Sequence, residues 1–154
     1  MAEGAAVRLF HISDILSITT GRLVSNRHID GVYDILNFLT GDDLFTHQLP
    51  RASRECEPWM RTQYPYLFDD NPEVRKCLNG MGDYLKAFPG DAAGIEAFVD
   101  SVRRTVCFPT ELPEMLPVYE MGADMHIRID PLEELRAMVG DKPVIAVELG
   151  EDDR

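Results

Sequence analysis

No run of apolar residues in this chain reaches the roughly eighteen needed to cross a bilayer. The first residues, "MAEGAAVRLFHISD", offer neither a basic leader nor an apolar stretch of signal-peptide length. A membrane partner is therefore not expected, and the chain is expected to stay in the cytoplasm. Cysteine is scarce: Cys56, Cys77 and Cys107 are odd in number, far apart and form no CxxC pair, which excludes a disulfide framework. With only His11, His28, His47 and His126 to join them, a structural zinc site is not expected, and the cysteines read as buried free thiols. Also missing are HExxH, a DxDxDG calcium loop, GxGxxG and GxxxxGK[ST], and "NGMGD" falls inside a predicted helix rather than after a strand. Neither a metal nor a nucleotide cofactor is expected.

Positive charge is the other deficit. Fifteen lysines and arginines face twenty-seven aspartates and glutamates, for a net charge of −12. Residues 1–66 hold six basic and eight acidic groups and residues 67–154 nine and nineteen, so the imbalance is −2 in the first part and −10 in the second. A field of that sign repels phosphate backbones and attracts basic protein surfaces. Direct nucleic-acid binding is therefore disfavoured, and solubility alone is the plainer account of the same number.

What is present is enough for one domain. With 154 residues, 45% of them apolar and 27% charged, the chain can bury a core without covalent help. "VRLFHI", residues 7–12, is β-compatible, and Ser13 with "DILSITTG" reads as an N-capped helix ending near Gly21. "HIDGVYDILNFLTG" sets Ile29, Val32, Tyr33, Leu36 and Leu39 at helical spacing, with Asp30, Asp34 and Asn37 outward and Gly41 as the stop. Asp42 or Asp43 then caps a short turn, and Pro50 opens a helix that Pro58 interrupts or kinks. "YPYLFDDNP" is the clearest connection, and a subdivision near 64–71 is the alternative to a single domain over 1–154.

Asn71 and Pro72 start a helix striped by Val74, Cys77, Leu78, Met81, Tyr84, Leu85 and Phe88, and Asp91 starts its antiparallel mate with Ile95, Phe98, Val99, Val102 and Val106 inward. "MLPVYEM" is extended, Asp130 and Pro131 begin a helix that Gly140 ends, and "KPVIAVEL" is a β-branched strand. That last strand is expected to pair with residues 7–12, with 115–120 as a third member, and 150–154 to fray as an acidic tail. The fold class is thus α+β, mostly helical, with five to six helices and a small two- or three-stranded sheet from the N- and C-terminal segments.

The residue types of catalysis concentrate in "GDDLFTHQLPRASRECEPWM", residues 41–60. A nucleophilic pair requires a thiolate within reach of an imidazole, and His47 and Cys56 are the weak candidates. Glu55 and Glu57 flank the thiol and raise its pKa, which Arg54 only partly offsets, so a packed cysteine is the better reading. Asp42 with Asp43, Asp69 with Asp70, and Glu133 with Glu134 are adjacent pairs whose side chains diverge, so they read as caps and solvated faces rather than metal ligands. Arg22, Arg27 and His28 in "GRLVSNRH" form the one locally basic stretch, read as a solvated loop. Trp59, Tyr64 and Tyr66 read as core closure in preference to an exposed hot spot.

"LSITTGRLVS", then "HIDGVYDILNFLTGDDLFTHQLPRASRECEPWM", and a C-terminal "DPLEELRAMVGDKPVIAVEL" together resemble a family of small proteins encoded by tailed bacteriophages and prophages. The likeness covers about the first 65 residues well and the last 25 loosely, centred on "TGDDLFTHQLPRA". It implies context rather than an activity. By analogy of class alone, small acidic phage proteins of this kind are similar to anti-CRISPR and other anti-defence inhibitors. The expectation is an acidic protein that inhibits or redirects a host protein or nucleoprotein complex with a basic surface. Asp42, Asp43, Asp69, Asp70, Glu111, Glu114 and Glu120 are the expected partner-binding carboxylates, exposed in loops or caps. The alternatives are a small hydrolase or transferase using His47 and Cys56, and a structural or oligomerising phage component. Homodimerisation through the C-terminal strand stays open, and His47, Gln48 and Arg51 are polar residues of the shared motif without an assigned role.

Overall fold

The β-compatible N-terminal run forms a strand, Val7–His11 (β1), which buries Phe10 and leaves Val7 and Leu9 exposed. It pairs antiparallel with Met115–Tyr119 (β2), setting Val7 opposite Tyr119 and His11 opposite Met115. The structure, a computed structural model, describes residues 6–87 (side chains to 81), 91–122 and 125–139. Among them the architecture is the expected mostly helical α+β arrangement, six α-helices around this two-stranded sheet. The partner of β1 is the 115–120 segment; the expected strand over "KPVIAVEL", its pairing with 7–12 and the 150–154 tail lie outside the described residues.

Helix α1, Ile12–Thr20, follows β1 directly and ends at Gly21, whose φ of 72° is the left-handed stop a glycine takes readily. Its cap differs from the expected Ser13. His11 is the N-cap and accepts the Ser13 amide through Nδ1, because the helix begins one residue earlier. Helix α2, Ile29–Thr40, ends at Gly41 as expected. Its buried stripe is turned from the predicted one: Gly31, Ile35, Leu36 and Leu39 point inward, whereas Ile29 is exposed and Asp34 is drawn into ion pairs with Arg8 and Arg27.

Neither Asp42 nor Asp43 caps the short turn, which is a 3-10 turn over Thr46–Gln48 preceded by Phe45 and closed by the Phe45 amide donating to Gln48 Oε1. Helix α3, Leu49–Gln63, then runs through Pro58 without interruption. The proline removes one ladder donor, and the helix is retained because Leu49, Ala52, Cys56 and Met60 bury a continuous face on either side of it. Trp59, Tyr64 and Gln63 at its end hold β2: Trp59 Nε1 donates to the Tyr119 carbonyl at 2.8 Å, Tyr64 hydroxyl to the Pro117 carbonyl, and Gln63 Oε1 accepts the Tyr119 amide. In the connection that follows, Leu67 and Phe68 are buried, and Thr19 Oγ1 of α1 donates to the Leu67 carbonyl at 2.7 Å.

Helix α4, Pro72–Ala87, is capped by Asn71, whose Oδ1 accepts the Glu73 amide, and buries Val74, Cys77 and Leu78 with Met81 partly buried. The stripe's other three residues, Tyr84, Leu85 and Phe88, lie outside the described side chains. Helix α5, Ala92–Thr105, starts as expected with Asp91 accepting the Gly94 amide and buries Ile95, Phe98, Val99 and Val102. It packs on α4, with Cys77 Sγ lying 3.1 Å from Ser101 Oγ. Helix α6, Pro131–Val139, begins at Asp130, which accepts the Glu133 amide; the expected stop, Gly140, lies outside the described residues.

One position joins these elements without slack. A Cβ on Gly31 would lie 2.1 Å from Ser25 Oγ and 2.3 Å from Asp14 Oδ1, both fixed by hydrogen bonds. Replacing a helical glycine by alanine ordinarily gains about 0.5–1 kcal/mol. Gly31→Ala is expected instead to lose about 1–3 kcal/mol in urea unfolding, as overpacking does. A gain in stability would mean that the 21–28 loop moves aside freely.

Candidate functional site

A cleft of about 260 Å³ opens between the start of α1, the 24–28 loop and α5. Ala92, Ile95 and Val99 supply its apolar floor, and Glu96, Asp100, Arg103 and Glu114 surround it with three carboxylates to one guanidinium. His11, Ser13, Ser25, Asn26 and His28 close the opposite side. Helical spacing explains the α5 wall, since positions 92, 95, 96, 99, 100 and 103 share one face.

Arg103 is already engaged. Its Nε donates to the Leu112 carbonyl at 2.8 Å, and its terminal nitrogens lie 3.2 Å from Glu111, 3.5 Å from Asp100 and 3.8 Å from Glu114. Glu114 also approaches His11, with Oε2 3.7 Å from Nε2, while His11 Nδ1 lies 2.8 Å from the Ser13 hydroxyl. A hydroxyl, an imidazole and a carboxylate in series have the order of a nucleophilic triad. Ser13, however, has no exposed surface, and its hydroxyl accepts the Asn26 amide at 3.1 Å. The series holds the helix start and the loop in place; it presents no nucleophile to a substrate.

The loop wall is tied to α1 through a buried charge. Asp14, fully buried in α1, receives the Ser25 hydroxyl at 2.5 Å and Arg27 Nη2 at 2.6 Å. Arg27 bridges onward to Asp34, which also takes Arg8. The Arg8 hydrogen bond foremost, against burial and aided by Arg27, holds the Asp34 carboxyl below the usual aspartate range. Arg22, Arg27 and His28 are exposed, as expected of a solvated loop, and Arg27 in addition braces that loop through its ion pairs with Asp14 and Asp34.

The window at residues 41–60 is a clamp. His47 Nε2 lies 2.7 Å from the Pro131 carbonyl, Gln48 Nε2 donates to the Ile129 carbonyl and to Glu134 Oε1, and Arg51 reaches Glu134 through Nε at 2.6 Å and Nη2 at 3.0 Å. Arg51 Nη1 adds Glu55 and the Ile127 carbonyl. Above it, His126, with a side chain only 1% exposed, sits between Glu55 (Nδ1 to Oε1, 2.5 Å) and Asp42 (Nε2 to Oδ2, 2.8 Å). Each ring nitrogen thus faces a carboxylate oxygen from a different element. Arg128 completes the grip on Asp42 at 2.9 Å. Residues 126–134 are thereby fastened across the start of α3.

These contacts give His47, Gln48 and Arg51 their structural work. Cys56 is buried, and burial, with Glu55 second, pushes its thiol up to about 12. His47 is joined to a carbonyl of α6 and to the Phe45 ring, 6.2 Å away between centroids.

The seven carboxylates expected to meet a partner are dispersed. Asp42 is not an exposed loop group: its side chain is 17% exposed and held by His126 and Arg128, because the clamp folds over it. Burial opposes its ionisation, yet hydrogen bonds from His126 and the Asp43 amide, with the Arg128 charge, hold it below the usual aspartate range. Asp43 and Asp70 are exposed and Asp69 partly so; Asp70 lies 3.1 Å from Arg61, and Asp69 lies 3.9 Å from Arg75. Glu120 accepts the Ala6 amide beside the sheet. Of the seven only Glu111 and Glu114 are brought together, at Arg103, where Asp100 joins them; Glu96 lines the same cleft as Glu114, and sequence reasoning passed over Glu96 and Asp100 because α5 read only as a packing helix. Among the described residues no group of three histidine, cysteine or acidic side chains could hold a metal ion, and no helix is long and apolar enough to cross a membrane.

Residues 10–69 match a family model described as a domain of unknown function, DUF7736. The match spans the brace of the 21–28 loop and the donor side of the clamp, and it stops short of α5 and of the clamped segment. No curated protein and no solved structure matches the chain.

Two measurements follow from the clamp. Arg51 by its hydrogen bond, against burial and with help from Gln48, holds the Glu134 carboxyl below its ordinary 4.5. A carboxyl depressed by folding contributes stability that is complete above its unfolded value and is lost as pH falls through the folded one. Native stability is therefore expected to drop below about pH 4.5. Glu134→Gln should cost about 1.5–3 kcal/mol at neutral pH and flatten that acid slope, an idea contradicted by parallel slopes in the two proteins. Alkylation of the native chain with iodoacetamide, read by peptide mass spectrometry, should label partly exposed Cys107 at least about tenfold faster than Cys56.

Proposed function

We propose that the chain is a phage-encoded acidic binding protein that inhibits or redirects a host complex by covering a basic surface. A nucleic-acid-guided defence effector of the CRISPR-Cas kind is the foremost target. The observation that carries this reading is charge: a net of −12 includes Asp100, Glu111 and Glu114 gathered around Arg103, with Glu96 lining the same cleft as Asp100 and Glu114. The likeness of "TGDDLFTHQLPRA" and its flanks to phage and prophage proteins supplies the context, and the dispersed exposed Asp43 and Asp70 extend the field.

Physically, such a protein places carboxylates where a partner's channel would hold phosphates. Long-range attraction speeds the encounter, and paired charges at the contact set the register. Asp42 is left out of this surface, since the clamp occupies it. Catalysis by Cys56 and His47 has no support in their geometry, as one is a buried high-pKa thiol and the other a tether to α6.

Tagged protein incubated with host lysate is expected to retain a nucleic-acid-binding complex at about 50 mM salt and to lose at least about nine-tenths of it by about 500 mM, as screening shortens the reach of surface charges. Added nucleic acid should compete for the same complex. Retention that ignores both salt and nucleic acid would sink the charge-occlusion reading.

A further inference from the structure

We infer that the cleft between α1, the 24–28 loop and α5 receives one arginine side chain projecting from the partner's basic surface. This assignment rests on the acidic-binding reading above and names the recognition element it lacks. The cleft's 260 Å³ lies below the range of about 300–1,000 Å³ that small-molecule pockets occupy, so its size suits a single long side chain. Its construction suits a particular one. Ala92, Ile95 and Val99 form an apolar floor for methylene groups, and Glu96, Asp100 and Glu114 stand around it as acceptors for the charged end.

The same place already shows which cation those acceptors take. The chain's own Arg103, itself a lining residue of the cleft, is met by Asp100, Glu111 and Glu114 while its Nε donates to a backbone carbonyl. One guanidinium does not neutralise the set: Glu96, on the exposed face of α5, and the outward sides of Asp100 and Glu114, 40% and 65% exposed, remain open to solvent. A guanidinium presents a planar fork of donors to carboxylates and stacks well on another guanidinium's plane or an apolar wall, which an ammonium does not. The opposite wall is held back from the space, because Ser25 in it, and Arg27 beside it, are hydrogen-bonded to the buried carboxylate of Asp14.

The test uses the full chain labelled with 15N, titrated with Nα-acetyl-arginine methylamide, its lysine counterpart and its neutral citrulline counterpart. Saturable shifts are expected for amides of residues 25–28 and 92–103 with the arginine compound, several-fold weaker with lysine and absent with citrulline. Glu96→Gln with Asp100→Asn, both on the solvent side of α5, should weaken the arginine compound at least about tenfold. Glu96→Arg, which places a guanidinium at the cleft mouth, should do the same and serves if the double variant folds poorly. Equal binding of citrulline, shifts located elsewhere, or no saturation overturns the assignment. The partner reading is scored separately: if the double variant loses the arginine compound but still captures the salt-sensitive host complex, the cleft is not the recognition element and the acidic-binding proposal stands. Loss of both, with the lysate complex released as in high salt, places the arginine in the interface.

Discussion

Asp14 is a carboxylate with no exposed surface, and the first half of the chain is arranged around keeping it paired. An uncompensated charge in that position would cost several kcal/mol, so the Ser25 hydroxyl and the Arg27 guanidinium are obligatory companions rather than decoration. Meeting that requirement pins the 21–28 loop to α1. Arg27 then reaches Asp34 on α2, Asp34 takes Arg8 on β1, and Gly31 lets α2 approach so closely that no Cβ fits. Strand, loop and two helices are set by one ionic chain, and the loop wall of the cleft is its by-product.

A second polar system does for the far end what Asp14 does for the start. The turn and first turns of α3 offer donors and acceptors in the order Asp42, His47, Gln48, Arg51, Glu55, and the 126–134 segment supplies complements to all of them. Few apolar side chains join the segment to the core: Ile127, Leu132 and Met138 are exposed. Its docking therefore rests on charge-assisted hydrogen bonds, which are directional and which respond to acid through Glu134. The same bonds remove from solvent a carboxylate, Asp42, that would otherwise look available to a partner.

The distribution of acid matters more than its amount. Ion pairs with Arg61, Arg75, Arg103 and Arg128 absorb much of the field of the neighbouring aspartates and glutamates, and such pairs at the surface add little stability. Around α5, carboxylates outnumber the cation between them while facing a cavity. That local excess, and not the net charge by itself, gives a binding reading a place on the molecule.

Periodicity made the helices legible: α2 with its stop at Gly41, and α4 from Asn71, α5 from Asp91 and α6 from Asp130 with their starting caps, are readable in the sequence, because capping is local chemistry. Composition likewise fixed the mostly helical class and the acidic character. The windows read less well wherever partners are distant. Pro58 looked like a break, but burial on both sides of it keeps α3 whole; Asp42 looked like a cap, but His126, eighty-four residues away, claims it. His47, Gln48 and Arg51 had no visible role because the groups they fasten in the 126–134 segment lie more than seventy residues downstream. The cleft was invisible for the same reason, its walls coming from β1 to the 24–28 loop, from α5 and from Glu114. Local sequence determined which segments coil and where they stop, since those energies are settled within a few residues. Tertiary structure alone decided which charges are paired and which stay open, since Coulomb and hydrogen-bond partners are chosen by proximity in space.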